Sequence, residues 1–469
     1  MITWQKQTQT FPRVRSAPTT NTSRFFLWIG YYLLLITATI IGVGYGYYFS
    51  EAFFPGDKPQ WAETILNALK LFWIIPLPYA LLNFFSFVRY PVFKRPKPGR
   101  PIVIPGVKLY VRIVTRGHNP QLVAQTARSA SEALSAVLPD NAWMVEIVTD
   151  NPLLLADFNT EVIVVPNDYQ TPNLTKYKGR ALHYALSASS ASDWVIHLDE
   201  ETHFDSDTVR HIQQFVREQH QAVARGKQIL PKIGQGVILY GKRRVTNWIT
   251  TLADSLRVGD DYGRFRLQFE HGKAHFGMHG SFIVINNGFE AQIGFDHGPK
   301  SSITEDAYFA LLAQAAGAEF AFINAFMYEQ SPFTIWDFVK QRRRWFGGLW
   351  LCVLAPEIPL SQRLVLGTFM GLWSVSWLCL ALVYANFLYP TGTPTWIAVC
   401  GGLSFLYYVM LYMIGFLRTY DREKLGYRFY PLLVVQVLLI PLFSAMESAG
   451  VIYGLISPPK DFYIVKKEG

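Results

Sequence analysis

Stretches apolar enough to cross a hydrocarbon core sit toward both ends of this chain, at roughly 25–49, 66–88, 364–389, 395–417 and 429–456, and the middle has none. About 20 apolar residues in a helix span a bilayer, and a spanning segment must satisfy its own backbone hydrogen bonds. The ends are therefore predicted to be membrane helices and the middle a separately folded, water-facing body. Half of the 469 residues are apolar and 15% are aromatic, high for a soluble chain and accounted for by this partition.

Charge orients the layout. The first apolar stretch has no small-residue cleavage site and is too long for a signal sequence, so it reads as a retained anchor. Lys6, Arg13, Arg15 and Arg24 precede it, and Arg89, Lys94, Arg95, Lys97 and Arg100 follow the second stretch. The loop between them holds Glu51, Asp57 and Lys58. Basic residues concentrate on the cytosolic side, so the N-terminus and the central body are predicted to be cytosolic. Arg418, Arg422, Lys424 and Arg428 place the loop after 395–417 there too, making 364–389 and 395–417 a hairpin. A single crossing by 429–456 would put the tail outside; Pro431 and Pro441 allow a broken, re-entrant helix that returns it. Lys70 is expected to snorkel. Glu447, deep in the last stretch, is costly if ionised; it reads either as protonated or helix-paired, or as a residue near the polar head of a lipid.

The predicted plan is a cytosolic tail over 1–24, two spans within 25–90 and a basic, Pro-rich linker over 91–106. An α/β domain follows over 107–332, then an interfacial amphipathic segment over 333–360, about three spans over 361–457 and a tail over 458–469. The net charge of +9 comes mostly from clusters flanking membrane segments and suits an anionic leaflet. No basic-aromatic module for nucleic acid stands out. Cys352, Cys379 and Cys400 have no metal-ligand spacing and support no disulfide framework, as in a reducing cytosol. The membrane is that of a bacterial cytosol boundary, or of the ER or Golgi in a eukaryote.

Within the middle, "VKLYVRIVTRG", "WMVEIVTD", "EVIVVP" and "DWVIHLDE" are apolar, β-branched runs separated by helical patterns, among them "QLVAQTARSASEALSAVL" after Asn119-Pro120 and "KGRALHYALSAS". Alternating strands and helices predict a parallel, doubly wound sheet, whose ligands bind at the carboxyl ends of strands. Asp150 and Asp199 both stand at such ends.

The chemistry-bearing residues follow in order. Strand alternation sends Asp199 and Glu201 to one side and Glu200 to the other, and two carboxylates can hold a Mg2+ or Mn2+ that also binds phosphate. Glu305 and Asp306 open a helix behind Thr304, a candidate cap. Asp306 reads as a general base for a hydroxyl, with Glu305 raising its pKa as a neighbouring like charge. "FVKQRRRWFGGLW" reads as a helix lying on the membrane surface that presents Gln341, Arg344 and Trp345 upward, arginine being suited to phosphate oxygens. Lys178 and Arg180 are candidates for a diphosphate or sugar. His279 and Gly280, in "HFGMHGS", are candidates for the acceptor side. Asp254 and Arg257 are expected to pair at i,i+3 on a helix. A base-reading carboxylate, a metal-holding cluster, a proton acceptor and cations for a leaving pyrophosphate are the parts needed to move a sugar off a nucleotide.

The ordered set Asp150, Asp199-x-Glu201, Glu305-Asp306 and Gln341-Arg-x-Arg344-Trp345 resembles the family-2 inverting glycosyltransferases of GT-A fold. "VRIVTRG", "HLDEET", "GQGVILYG", "NWITTLADSLRVGDD", "MYEQSPFTIWDFVKQRRRW" and "FYIVKK" are similar to the Egghead-type β-1,4-mannosyltransferases, from about Val107 onward. The resemblance implies that Thr115, Gly117 and Asp150 line a nucleotide pocket, that Asp199 and Glu201 serve the diphosphate and metal, that Asp306 is the base, and that Gln341, Arg344 and Trp345 close the site, with Trp345 also on the acceptor side. Thr-Arg-Gly replaces the family's Pro-x-x-x-Glu, and Asp-Glu-Glu replaces Asp-x-Asp. The implied reaction passes mannose or glucose from GDP-mannose or UDP-glucose to a lipid-linked acceptor at the cytosolic face, forming a β-bond. A processive β-glycan synthase is the other enzymatic reading, since Gln-x-x-Arg-Trp occurs there too; the few helices after the domain weigh against it. A non-catalytic transporter would find only Lys70 and Glu447 as ionisable groups in its membrane part.

Overall fold

The computed structural model describes residues 59–153, 159–228, 230–242, 245–388 and 391–463, with 32, 33 and 37. The span predicted at 25–49 lies outside these residues apart from 32, 33 and 37, and the tail lysines Lys466 and Lys467 lie outside them altogether.

Helix α1 (Gln60–Leu69), a 3-10 turn at Lys70–Ile74 and α2 (Leu77–Arg89) lead in from the membrane side. Pro76 separates the turn from α2, as a missing N–H requires. Seven strands then build one sheet: β1 (Leu109–Thr115), β2 (Trp143–Thr149), β3 (Thr160–Val164), β4 (Trp194–Asp199), β5 (Ile233–Tyr240), β6 (Ile283–Asn286) and β7 (Phe320–Glu329). Their order is β3-β2-β1-β4-β6-β5-β7. Strands β1, β2 and β4 are almost wholly buried, the pattern of a sheet covered on both faces. The covering helices include α3 (Pro120–Ser135), α4 (Tyr177–Ala185), α5 (Ser206–Ala224) and α6 (Glu305–Ala315). Helix α3 begins as its sequence demands: Pro120 sits in the first turn and the Asn119 side chain accepts the Leu122 N–H at 3.2 Å, filling one of the orphan donors of a helix start.

The α/β class is as expected, but the sheet is not all parallel. β6 runs antiparallel to both β4 and β5. The consequence is spatial: the residues that precede β6 arrive at the same sheet edge as the residues that follow β1, β2 and β4. The segment 279–281 thereby joins Thr115, Asp150 and Asp199 at the carboxyl edge. An all-parallel sheet would have put it at the opposite edge.

Beyond the sheet lie α7 (Ile335–Leu354), α8 (Leu360–Leu388), α9 (Thr395–Thr419), α10 (Phe429–Leu438) and α11 (Ile440–Ile456). Among the described residues, three helical stretches are long and apolar enough to cross a membrane, by length and composition: Gln60–Arg89, Leu360–Leu388 and Thr395–Thr419. The stretches Arg422–Leu438 and Ile440–Ile456 form a pair bent by 50°, at the break before Pro441. The start of this pair packs close to the central domain: Phe429 lies on Phe416, near Arg418 and Asp421, which bond Tyr262 and Lys242. Ser457 and Pro458 accept from Arg343 of α7. The bend is that of a broken span or of a re-entrant loop.

Helix α7 packs along α11 and α8, while α9 packs against the helical run 248–270. Lys70 does not snorkel. It is 2% exposed, and its ammonium donates to Thr391 O and Oγ1, Gly392 O and Thr393 Oγ1 at 2.8–3.3 Å. The loop between α8 and α9 folds back over it, so a buried set of oxygens replaces water around the charge.

Candidate active site

The carboxyl edge opens into a cavity of about 1300 Å³. Asp150, Asp199, Glu200, Glu201, Lys178, His279, Gly280, Glu305 and Asp306 line its upper part with Thr115, and Gln341, Arg344 and Trp345 reach it from α7. These residues come from the ends of three strands, the turn before β6 and the first turns of α4 and α6.

Lys178 organises the centre. Its ammonium donates to Asp199 Oδ1 at 2.5 Å and to the Gly280 carbonyl at 2.9 Å, and it lies 3.8 Å from Glu305 Oε1. Burial alone would lower its pKa, but Asp199 and then Glu305 outweigh that and raise it, so it stays charged. Gly280 lies close to the pair, since a Cβ there would stand 3.0 Å from Asp306 Oδ2 and 3.2 Å from Lys178 Nζ. The backbone therefore comes within touching distance of the acid pair, as glycine permits.

The acid pair is buried. Glu305 is 7% exposed; desolvation first and the neighbouring Asp306 second push its carboxyl up to about 7, against Lys178 and Arg344. Burial likewise raises Asp306, opposed by the Ala307 N–H at 2.7 Å and by Lys178, Arg344 and His279. Thr304 precedes the helix as expected, but its side chain does not cap it. Its hydroxyl faces Cys352 Sγ at 3.8 Å, because α7 packs against this turn.

The remaining predicted residues divide. Glu200 does not point away: β4 stops at Asp199, alternation stops with it, and Glu200 turns to accept from Thr115 Oγ1 at 2.5 Å. Gly117 stands behind the cavity wall, donating to Thr115 Oγ1 at 2.9 Å with φ +76°. Arg180 is also withdrawn, since its guanidinium bonds Asp150 at 2.6 Å and the Pro166 and Tyr169 carbonyls; it holds Asp150 in place. His279 lines the cavity with Nε2 on Asp261 Oδ1 at 2.6 Å. The side chains of Asp254 and Arg257 do not pair: Asp254 takes Arg342 at 2.6 Å, and Arg257 lies over the rings of Tyr240 and Trp345 at 4.6 and 4.3 Å.

Arg344 forms no ion pair within 4 Å among the described residues, and its Nε has no hydrogen-bond partner among them. Burial lowers its pKa, opposed by Glu305, Asp306 and Asp199, so its guanidinium faces a ring of acids. Sequence reasoning missed what covers it. The segment 457–463 crosses α7, placing Phe462 on Arg344 at 3.9 Å, with Tyr177 hydrogen-bonded to Asp461 at 2.9 Å and Tyr463 bonded to Asp337. The string "FYIVKK" was visible, yet nothing in its composition assigns it to a site.

Below Trp345 the cavity continues between α8 and α9, with Phe369, Trp373, Leu380, Val383, Phe405 and Tyr408 in its walls. Along α8 the lining runs from Phe369 to Asn386, roughly 25 Å at the rise of an α-helix.

This geometry has sequence relatives. The profile of glycosyl transferase family group 2 matches residues 194–418. Over 420 residues, 87% of this chain and 89% of the relative, the sequence is 35% identical to β-1,4-mannosyltransferase egh of Drosophila melanogaster. The chain belongs to the family-2 glycosyltransferases. This glycosyltransferase is also 32% identical to β-1,4-mannosyltransferase bre-3 of Caenorhabditis elegans over 416 residues, 86% of this chain and 88% of that one. A solved structure of a mannosyltransferase from Pyrobaculum calidifontis, in complex with GDP-Man and Mn2+, matches with a TM-score of 0.47 and 12% identity, covering 84% of this chain and 100% of that chain. The glycosyltransferase thus combines a mixed GT-A-like sheet with long apolar helices on both sides of it.

Proposed function

We propose that this glycosyltransferase moves one mannosyl unit from GDP-mannose to a hydroxyl of a lipid-linked acceptor, at the cytosolic face of its membrane and with inversion at the anomeric carbon. The observation that carries the reading is the continuity of one cavity from the acid pair on α6 to an apolar arm between α8 and α9. A donor nucleotide has no use for an apolar arm, whereas the chain of a lipid gains by filling one. The mannosyl choice leans on the relatives named as β-1,4-mannosyltransferases. The cytosolic side leans on the basic residues Arg418, Arg422, Lys424 and Arg428, whose loop is tied to the central domain by Lys242 and Asp421 at 2.8 Å.

In this reading Asp306 takes the proton of the acceptor hydroxyl while that oxygen attacks the anomeric carbon. The bond from that carbon to the phosphate oxygen breaks on the opposite face, and GDP departs with the electron pair. Buried Lys178 and Arg344 offset the charge of the diphosphate, where a low dielectric makes them count. Gln341 and Trp345 bound the acceptor side with Gly280 and His279, and Asp150, held by Arg180, faces the nucleotide. A Mg2+ or Mn2+ fits the hard oxygens of Asp199 and Glu201. An ion of this kind takes one or two carboxylates and draws its other ligands from phosphate and water. Such an ion supplies charge neutralisation on the departing diphosphate.

The test is mass spectrometry of lipids after purified protein is given GDP-mannose or UDP-glucose with membrane lipid extracts. One added hexose from GDP-mannose is the expected product. Transfer from UDP-glucose alone overturns the donor, a ladder of products indicates a processive synthase, and transfer to soluble sugars alone removes the lipid.

A further inference from the structure

Glu447 stands on α11, a helix otherwise made of apolar and small residues, and lines the cavity. An ionised carboxylate in such a helix is costly unless a partner is supplied. The partner comes from the middle of the Gln341–Trp345 motif, from an arginine with no assigned part in the reaction. Arg342 donates Nε to Glu447 Oε1 at 2.7 Å, Nη2 to Asp254 Oδ1 at 2.6 Å and Nη1 to Gln341 Oε1 at 2.7 Å. Its side chain is 2% exposed, and its guanidinium lies 3.8 Å from the Phe338 ring centre and 4.4 Å from that of Trp345. Gly450, one turn beyond Glu447, receives the Arg342 stem where any side chain would collide.

Three features separate this cluster from a plain structural tie. A buried ion pair is a weak source of stability, and packed hydrophobic residues would hold α7 to α11 as well. The third arm of the fork goes to Gln341, a residue of the site itself. With its carbonyl oxygen held by Arg342, the Gln341 amide is left to present its two N–H donors on the cavity wall. The same guanidinium flanks Trp345, whose other neighbour is Arg257.

We propose that Glu447 and Asp254, acting through Arg342, are positioning residues for sugar transfer: they fix the Gln341 amide and the Trp345 ring on the acceptor side, and so couple the seating of a membrane-embedded helix to the geometry of the reaction. The inference rests on the reading of this cavity as the transfer site. The effect of Glu447 and Asp254 passes through Gln341 and Trp345.

Full-length Glu447→Gln and Arg342→Lys variants in lipid nanodiscs decide it, with GDP binding measured by calorimetry beside kcat and KM for transfer. Glu447→Gln is expected to keep GDP affinity within about twofold and to lose kcat by about 10- to 100-fold, the order that misplacing a positioning group by an ångström costs. Arg342→Lys keeps the charge but loses the fork, and is expected to match it. The double variant should be no worse than either single one, as for residues acting through one network. Transfer at the parent rate by Glu447→Gln overturns the proposal. So does a parallel loss of GDP affinity and transfer, which marks a structural tie only. If Glu447→Gln does not fold, Arg342→Lys is judged by the same two criteria. Failure of the underlying reading looks different: Asp306→Asn would then transfer normally.

Discussion

Asp306 and Glu305 share one buried corner, and their environments make opposite demands on pH. Transfer needs an ionised base, so its rate should fall as pH drops through the range of the Asp306 carboxyl, which burial raises above the ordinary aspartate value. Folding stability should run the other way. A carboxyl whose folded pKa is raised from 4.5 to about 7 binds its proton more readily folded than unfolded, so stability present at low pH is lost as pH rises through that window. Glu305→Gln removes the group that titrates there and should flatten this loss of stability, read from melting temperatures across pH. Asp306→Asn should keep donor binding and lose transfer by about 10²–10⁴-fold, measured by calorimetry and product formation. Arg344→Lys should not restore the rate, since a point charge cannot reproduce a planar fork on phosphate.

At the scale of elements, the turn before β6 and the glycines against α9 decide where the site forms. Gly415 of α9 lies against the backbone of Ser255, and Gly259 lies against that of Leu411, so the run 248–270 is seated on a membrane helix backbone to backbone. Gly415→Ala should cost about 1–3 kcal/mol by overpacking, lower the melting temperature in detergent and loosen the domain to protease. The strands and the acids at their ends were legible from sequence, because apolar runs and their C-terminal carboxylates are local features. The antiparallel course of β6 was not, since strand direction is set by long-range pairing. Glu200 was misjudged for a related reason, as alternation holds only while the strand lasts. Asp254 and Lys70 found partners 88 and 321 residues away, beyond any spacing rule.

At the scale of the whole molecule, the basic loop 418–428 and the loop after α8 sit at opposite ends of α9. In a chain whose native cysteines are replaced, Lys424→Cys should react with an impermeant maleimide only after cells are permeabilised, and Thr395→Cys should react without that step. The reverse pattern would put the reaction on the other side of the membrane. Hydropathy alone leaves the parity open, because a bent apolar pair and a straight span have similar composition and differ in tertiary contacts. Those contacts end in the strap of residues 457–463, whose aromatic rings rest on Arg344 and Lys340. A purification tag or fluorescent protein fused just after that strap would pull on the cover of Arg344. Handles for enzymology therefore belong at the other end of the polypeptide, and a feeble rate from a C-terminally tagged preparation would say more about the handle than about the catalyst.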